Sequence, residues 1–395
     1  MSSLKKLASE TAIYGMSTML MRMLNYLLVP LYTRLFHPDA YGVVTELYAI
    51  IAFLNILLTY GMETTYFRYA ESKGMKAYAT ALNSIIISSL LFLAFSWPQA
   101  DTFAAFRELD NGGILVKYGI LILVLDAISA LPFALLRNLG KAKRFAIIRS
   151  LNILLNILFN LLFIVWIPGW VQAGWNPFEW FSATPDIAYI FISNLLASGI
   201  TVMLLIPEIR GLENGFDFSL WKVMLRYAAP LVLVGLAGMV NETFDRVILK
   251  DLLPPDIAEH ELGVYGACYK LSILMSLFIQ AYRFAAEPFF FSQRSSGDRS
   301  IYAKATHYFS LFCFAIFLVV TLYLDAFKLL LGEEYWEGIY IVPILLLANL
   351  FLGVYYNLST WYKLADKTLI GAYITVGGAT LTFVLLFTRI PFLGY

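Results

Sequence analysis

The sequence has 395 residues, of which 60% are hydrophobic and only 14% are charged, and its net charge is +1. A soluble globular protein is about 25% charged, so this composition excludes an ordinary soluble domain. The near-zero net charge also gives no general attraction for nucleic acid. Because the apolar residues come in blocks of about 20, the length of helix that crosses a membrane, the sequence predicts an all-α polytopic membrane protein.

Eleven apolar blocks predict eleven membrane-spanning helices. The blocks are continuous and do not alternate with polar residues, which favours helices. Lys5 and Lys6 precede a first block that is too long for a signal peptide and has no small-residue cleavage site, so we expect it to remain as the first span. The predicted spans cover residues 11–35, 41–61, 79–97, 114–136, 146–167, 187–206, 224–249, 263–288, 304–324, 338–359 and 369–388.

The charges of the loops predict how the chain is oriented. With a cytoplasmic N-terminus, 18 of the 28 Lys and Arg residues fall in inside-facing segments and six in outside-facing segments. Positive residues concentrate on the cytoplasmic side of membrane proteins, so we expect this orientation in a bacterial inner membrane. The last residues, Ile390 to Tyr395, resemble a turn that leads into another helix, and we expect the natural chain to continue into a twelfth span.

Cysteine and histidine give no sign of a disulfide, redox pair or metal site. The two cysteines, Cys268 and Cys313, lie far apart in apolar segments, and the three histidines show no ligand spacing. We therefore expect no cofactor other than a coupling ion, H⁺ or Na⁺.

A short internal repeat predicts two lobes. Arg34 near the end of the first span is followed by the pair Tyr41-Gly42, and Arg246 near the end of the seventh span is followed by Gly263-Val264-Tyr265-Gly266. Repeats of this kind build transporters with a substrate site at the interface between lobes. We predict an N-terminal lobe over residues 1–212 and a C-terminal lobe, incomplete here, over residues 213–395.

Arg22 has no acidic residue in its own predicted span, and Asp126, near the centre of the fourth span, has no local partner. A charge at mid-membrane costs about 3 kcal/mol or more, so such residues usually face a bundle interior or a wet cavity. Asn25 shares a helix face with Arg22. Asp126 is either a counter-ion to Arg22 or a site for a proton or a sodium ion.

Further polar residues have both structural and functional interpretations. Glu242 and Arg246 are four residues apart and can neutralise each other, with Asp245 beside them in the predicted outer half of the seventh span. Lys270 lies inside the eighth span, and Arg68 near a predicted inner helix end. Because arginine grips phosphate through two parallel hydrogen bonds, a cationic cavity predicts an anionic cargo.

The first seventy residues resemble a known family. RMLNYLLVPLYTRLFHPDAYG, at residues 22–42, and YGMETTYFRY, at residues 60–69, are similar to the opening of Wzx-type polysaccharide biosynthesis proteins. These are oligosaccharide-lipid flippases of the multidrug/oligosaccharidyl-lipid/polysaccharide (MOP) exporter superfamily. The Asp245-Arg246 to Gly266 stretch is similar to the corresponding feature of the second lobe.

The resemblance implies two six-helix lobes around a central cavity and movement of an undecaprenyl-diphosphate-linked oligosaccharide to the outer leaflet by alternating access. Such a flippase serves lipopolysaccharide and O-antigen assembly, alongside the polysaccharide polymerase machinery. Arg22 matches the first-helix arginine of a cationic cavity in related lipid II flippases. Arg246 and Lys270 lie where the second lobe could add charge, with Arg68 as a further substrate-binding candidate. Asp126, Glu242 and Asp245 are the ion-coupling candidates.

Two alternatives remain. One is a cation-coupled drug or metabolite antiporter of the same superfamily. The other is a membrane glycan polymerase or ligase, which needs catalytic groups in a large external loop. The longest predicted external loop, residues 168–186, contains no Lys, Arg or His. This absence favours a transporter, which makes and breaks no covalent bond, over an enzyme.

Overall fold

The computed structural model describes residues 23–24, 26–109, 112–176, 183–210, 215–292, 299–364 and 368–393. These residues form helices joined by short connections, with no β-strand among them. The α-helices are α1 Val29–Leu35, α2 Pro38–Thr59, α3 Met62–Ser96, α4 Ala100–Phe106, α5 Gly112–Asn138, α6 Ala142–Asn160, α7 Ile167–Gln172, α8 Ala188–Leu204, α9 Ile206–Arg210, α10 Phe218–Glu242, α11 Phe244–Leu252, α12 Pro255–Ser292, α13 Arg299–Leu322, α14 Leu324–Phe327, α15 Val342–Leu364 and α16 Thr368–Leu393.

Tighter and wider helical turns connect some of these elements. A π-helix, Leu161–Trp166, joins α6 to α7, and 3-10 helices Lys328–Leu330 and Glu333–Ile341 lead into α15. The all-α prediction is therefore confirmed for the described residues.

Eight helical segments in the described part of the chain are long and apolar enough to cross a membrane. One of these, Pro38–Ser96, contains two predicted spans, 41–61 and 79–97. The predicted span 187–206 appears as the apolar helix Ala188–Leu204. The described helices account for ten of the eleven predicted spans. Most of the remaining one, the first predicted span 11–35, lies outside the described residues.

Two helix boundaries differ from the prediction. Residues 62–73, expected to be a cytoplasmic loop, are the first half of α3, which bends at Gly74 with φ 53°. The seventh span, expected to be continuous over 224–249, breaks at Thr243, so α10 ends at Glu242 and α11 begins at Phe244. No proline or glycine marks this break in the sequence.

The described contacts divide the chain into two compact units. Unit 1 comprises residues 1–45 and 248–395, and unit 2 comprises residues 46–247. This division follows contacts and does not test the predicted lobes, 1–212 and 213–395.

Unit 2 packs around the two halves of α3. Its buried core includes Met62, Tyr66, Tyr78, Leu82 and Leu131, supplied by α3 and α5. The helix α10 joins this core because the Trp221 indole N–H donates to the Ser84 hydroxyl of α3 at 2.6 Å. Glycines at the bend after α2 and on α10 permit close approach: Gly61 has φ 69° and lies against Leu231.

Unit 1 contains a reciprocal crossing of α2 and α12. A Cβ atom on Gly42 would overlap the carbonyl oxygen of Glu259, and one on Gly263 would overlap the carbonyl oxygen of Pro38. The same sequence separation relates Gly42 to Gly263 and Thr45 to Gly266, and the latter pair also meets at the crossing. Gly42 and Gly263 therefore lie against each other; this contact in space does not test the sequence repeat, which stays a prediction.

Candidate functional site

Asp126 lies at the centre of a polar network that joins three helices of unit 2. The Ser198 hydroxyl of α8 donates to Asp126 Oδ1 of α5 at 2.9 Å and lies 3.4 Å from Asn194 Oδ1. The Asn194 amide in turn donates to the Tyr48 hydroxyl of α2 at 3.0 Å. Tyr48 is held in place by stacking on Phe191, with ring centroids 5.1 Å apart.

Asp126 lies in the middle of α5, and the residue is exposed on the surface of the described structure. Arg149 lies within electrostatic range of it and stacks 4.0 Å above the Phe133 ring. The site therefore combines one carboxylate, one nearby cation and several neutral oxygen and amide groups.

A ladder of polar side chains on α6 and α8 extends this network. The Asn152 amide donates to the Thr201 hydroxyl at 2.9 Å, and the Asn160 amide donates to the backbone and side-chain oxygens of Asn156. The sequence contained the signal for this ladder, because Asn152, Asn156 and Asn160 recur every four residues in an apolar span. Residues at this spacing share a helix face, and polar side chains there hydrogen-bond across membrane helices.

Glu242, Asp245 and Arg246 lie at the break between α10 and α11. The Arg246 guanidinium donates to the backbone oxygen of Glu242 and lies 3.4 Å from Asp245 Oδ1. Asp245 also accepts from the Arg246 backbone N–H at 2.9 Å. The Arg246 side chain is only 12% exposed. Its guanidinium is therefore engaged mainly in contacts at this helix junction.

Lys270 of α12 lies against the described part of the first predicted span. Its ammonium is 5.8 Å from the centre of the Tyr26 ring, a distance at which a cation–π attraction operates. Arg22 and Asn25, the other predicted substrate-binding residues of this span, lie outside the described residues. The structure therefore brings Lys270 to Tyr26, the neighbour of Asn25 in the sequence.

Arg68 lies in the first half of α3. Its guanidinium stacks 4.7 Å above the ring of Tyr227 of α10, and its side chain is exposed. A stacked guanidinium keeps its N–H edges available to an oxyanion. Arg68 thus remains a candidate for an anionic group that approaches from this helix end.

The amino-acid sequence matches a model of a known protein family. The family model described as "Polysaccharide biosynthesis protein" matches residues 7–293. The chain belongs to this family. No curated protein sequence matches this polysaccharide biosynthesis family member closely enough to count as a relative.

Solved structures of transporters share the fold of this family member. An inward-facing multidrug resistance MATE family transporter of the MOP superfamily is 13% identical with a TM-score of 0.60, over 96% of each chain. An outward-facing transporter of the same description is 14% identical with a TM-score of 0.56, over 97% of this chain and 93% of that one. A MATE protein in a straight conformation is 15% identical with a TM-score of 0.57, over 98% and 85%. At these identities the likeness establishes a MATE-like fold.

Proposed function

We propose that this protein is a flippase that moves an undecaprenyl-diphosphate-linked oligosaccharide across the bacterial inner membrane by alternating access. Family membership and the MATE-like fold support the coarser statement, an exporter or flippase of the MOP type. The observation that supports the proposal is their combination, a polysaccharide biosynthesis family member with a MATE-like fold; the lipid-linked glycan is the cargo that we propose for it. The N-terminus faces the cytoplasm in this proposal, as the loop charges predict.

The diphosphate is bound by cations near the first span. Lys270, which lies against Tyr26, supplies one positive charge, and Arg22 supplies a second. Arg and Lys replace water around phosphate through charge-assisted hydrogen bonds. Arg68, on its tyrosine, is the proposed contact nearer the cytoplasmic surface, and Arg246 contributes less because it is engaged at the α10–α11 junction.

Asp126 is the proposed ion-coupling residue, for either a proton or a sodium ion. The nearby positive charge of Arg149 favours the ionised carboxylate and opposes both ions, so it does not distinguish between them. Glu242 and Asp245 are the weaker candidates, because Asp245 already contacts Arg246.

The test uses cells that lack their own flippase and depend on this protein for surface glycan. We expect Lys270→Ala and Arg22→Ala to reduce the rate of glycan export by about tenfold or more, since a hydrogen bond to a charged group is worth about 1.5–3 kcal/mol. Lys270→Arg should retain most of the activity. The control is Lys117→Ala, which removes an ion pair with Asp101 near the start of α5 in unit 2.

Two measurements decide the outcome. Surface glycan should fall in the alanine variants while lipid-linked oligosaccharide accumulates in the membrane, because synthesis continues without export. Normal surface glycan in both alanine variants, at normal protein levels, would remove these cations from the proposed mechanism. Loss of glycan without accumulation of its lipid-linked precursor would point to a synthetic enzyme instead.

A cation-coupled drug or metabolite antiporter is the second candidate, because the structural neighbours are described as multidrug resistance transporters. It is distinguished in vesicles that contain the purified protein. An antiporter moves cationic dyes when a proton or sodium gradient is applied, whereas the proposed flippase moves a lipid-linked diphosphate and leaves the dyes in place. Association with a polysaccharide polymerase stays a prediction of the flippase proposal.

A further inference from the structure

Three segments of unit 1 meet at its predicted outer end, and we call them the clasp: residues 38–45 of α2, residues 259–266 of α12, and the 3-10 helix Glu333–Ile341. The α2–α12 part is the glycine crossing, where the backbone nitrogen of Gly42 lies 3.0 Å from the Cβ position of Gly263. The glycines bring the two backbones together, and apolar side chains beside them, including Tyr41, Val44, Leu262 and Val264, are buried.

The 3-10 helix is fixed firmly to the α1–α2 end. Tyr335 is fully buried, packs edge-on against Tyr41 with centroids 5.9 Å apart, and donates its hydroxyl proton to the Phe36 carbonyl oxygen at 2.8 Å. The Gly332 N–H donates to the Thr33 hydroxyl at 3.1 Å. The 3-10 helix also packs along α12, where the Cys268 thiol lies 3.8 Å from the Tyr335 carbonyl oxygen, so it contacts both sides of the glycine crossing.

His260 of α12 bridges to both of the other segments. Its Nε2 lies 2.5 Å from Glu337 Oε1 of the 3-10 helix, and its Nδ1 lies 3.8 Å from Asp39 Oδ2 of α2. Glu261, its neighbour on α12, also acts on it electrostatically. The imidazole is 35% exposed, and the two carboxylates are more exposed, at 56% and 61%, so protons from the aqueous side can reach all three groups.

Two further ion pairs lie at the clasp. Glu259, one residue before His260, lies 2.6 Å from the Lys250 ammonium. His37 lies 2.7 Å from Glu334, but both side chains are more than half exposed, so this pair contributes little. His260 is the histidine whose side chain lies between α12, α2 and the 3-10 helix.

We propose that His260 is a proton-operated closure of the clasp. Protonated, the imidazole has two N–H donors and a positive charge for Glu337 and Asp39; neutral, it has one N–H donor and no charge. A proton from the outer compartment therefore strengthens the contact of α12 with α2 and the 3-10 helix. The inference rests on the proposed function in one respect, that alternating access requires this end of the protein to open.

The test measures the width of the clasp directly. Spin labels are placed on Leu35→Cys and Ile257→Cys, since both side chains are exposed, at 43% and 40%. The natural cysteines, Cys268 and Cys313, are buried, and the protein without added cysteines checks that they take up no label. Distances between labels are recorded by pulsed electron paramagnetic resonance on the full chain in lipid nanodiscs at pH 5 and pH 8.

We expect a single short distance at pH 5 and, at pH 8, an added longer distance. From pH 5 to pH 8 the population with the long distance, relative to the population with the short distance, should rise about fivefold. This factor corresponds to the loss of a partly exposed ion pair worth about 1 kcal/mol. His260→Gln should show the pH 8 distribution at both pH values, and His260→Lys, with a permanent charge, the pH 5 distribution at both. His307→Gln, which changes an exposed histidine on α13, should respond as the unaltered protein does.

Identical distributions at pH 5 and pH 8 in the unaltered protein would overturn the proposal. A pH response that survives in His260→Gln, or one that is lost in His307→Gln, would overturn it as well. The distances are measured without any glycan substrate. A pH-dependent clasp in a protein that fails to move lipid-linked oligosaccharide would therefore refute the flippase and leave the closure intact.

Discussion

Replacing Glu46 with glutamine would remove the charge of a carboxylate that contacts the buried Arg107 guanidinium. Arg107 Nε lies 2.5 Å from Glu46 Oε1, and the side chains are 9% and 0% exposed. A second nitrogen of Arg107 donates to the Val247 backbone oxygen at 3.3 Å. Removing one partner of a buried ion pair costs about 3–5 kcal/mol, whereas replacing both partners with apolar residues is often neutral. We therefore expect Glu46→Gln and Arg107→Met each to lose about 3–5 kcal/mol of unfolding free energy.

The assay is unfolding in mixed micelles with increasing sodium dodecyl sulfate, followed by tryptophan fluorescence. The double variant Glu46→Leu/Arg107→Met should be more stable than either single variant, because it removes both members of the buried pair together. The matched control is Asp101→Asn, which breaks an exposed pair with Lys117 and should cost less than about 1 kcal/mol. Additive losses in the double variant, or single losses no larger than the control, would refute the reasoning.

Three further predictions use thermal unfolding of the purified protein. Gly263→Ala should destabilise the protein by about 1–3 kcal/mol through overpacking against α2, whereas Gly199→Ala, with open space around it, should stabilise it by about 0.5–1 kcal/mol. Equal destabilisation by both substitutions would show that close packing at the crossing is not the cause. The Lys76 hydrogen bond and the α10 backbone lower the pKa of Asp217, so the ionised Asp217 stabilises the fold above about pH 4, and this stabilisation is lost as pH falls through the lowered pKa. The difference in melting temperature between the unaltered protein and Asp217→Asn should therefore shrink only in that acidic range. A difference that shrinks near neutral pH would contradict this. Trp221→Phe removes the indole hydrogen bond to α3 and should cost about 1 kcal/mol; an unchanged melting temperature would argue against that bond.

Segment length made the membrane helices predictable. Each predicted span from 41–61 to 369–388 coincides with a helix because about 20 apolar residues have one stable arrangement in a bilayer, with every backbone group bonded within the helix. The boundaries were less predictable. The break at Thr243 has no proline or glycine to announce it, and it is stabilised by contacts of Asp245 and Arg246 that only the folded chain supplies.

The candidate site was predictable in part. Asp126 stood out in the sequence as a lone intramembrane acid, and the spacing of Asn194 and Ser198 on α8 contained a usable signal for its partners. The Glu46–Arg107 pair was not predictable, because its members lie 61 residues apart and nothing local relates them. The close contact of Gly42 with Gly263 was not predictable either, because it joins residues that are distant in the sequence.

Arg107 has a consequence for how unit 2 can be handled as a module. Unit 2 is an insertion within unit 1, and its first and last residues are Glu46 and Val247. Because one guanidinium bonds both of them, the two chain ends of the insertion are already adjacent, and little loop-closure entropy remains to be lost in joining them. Unit 2 is therefore suited to circular permutation or to exchange between homologues, provided that the graft keeps the arginine that ties its ends.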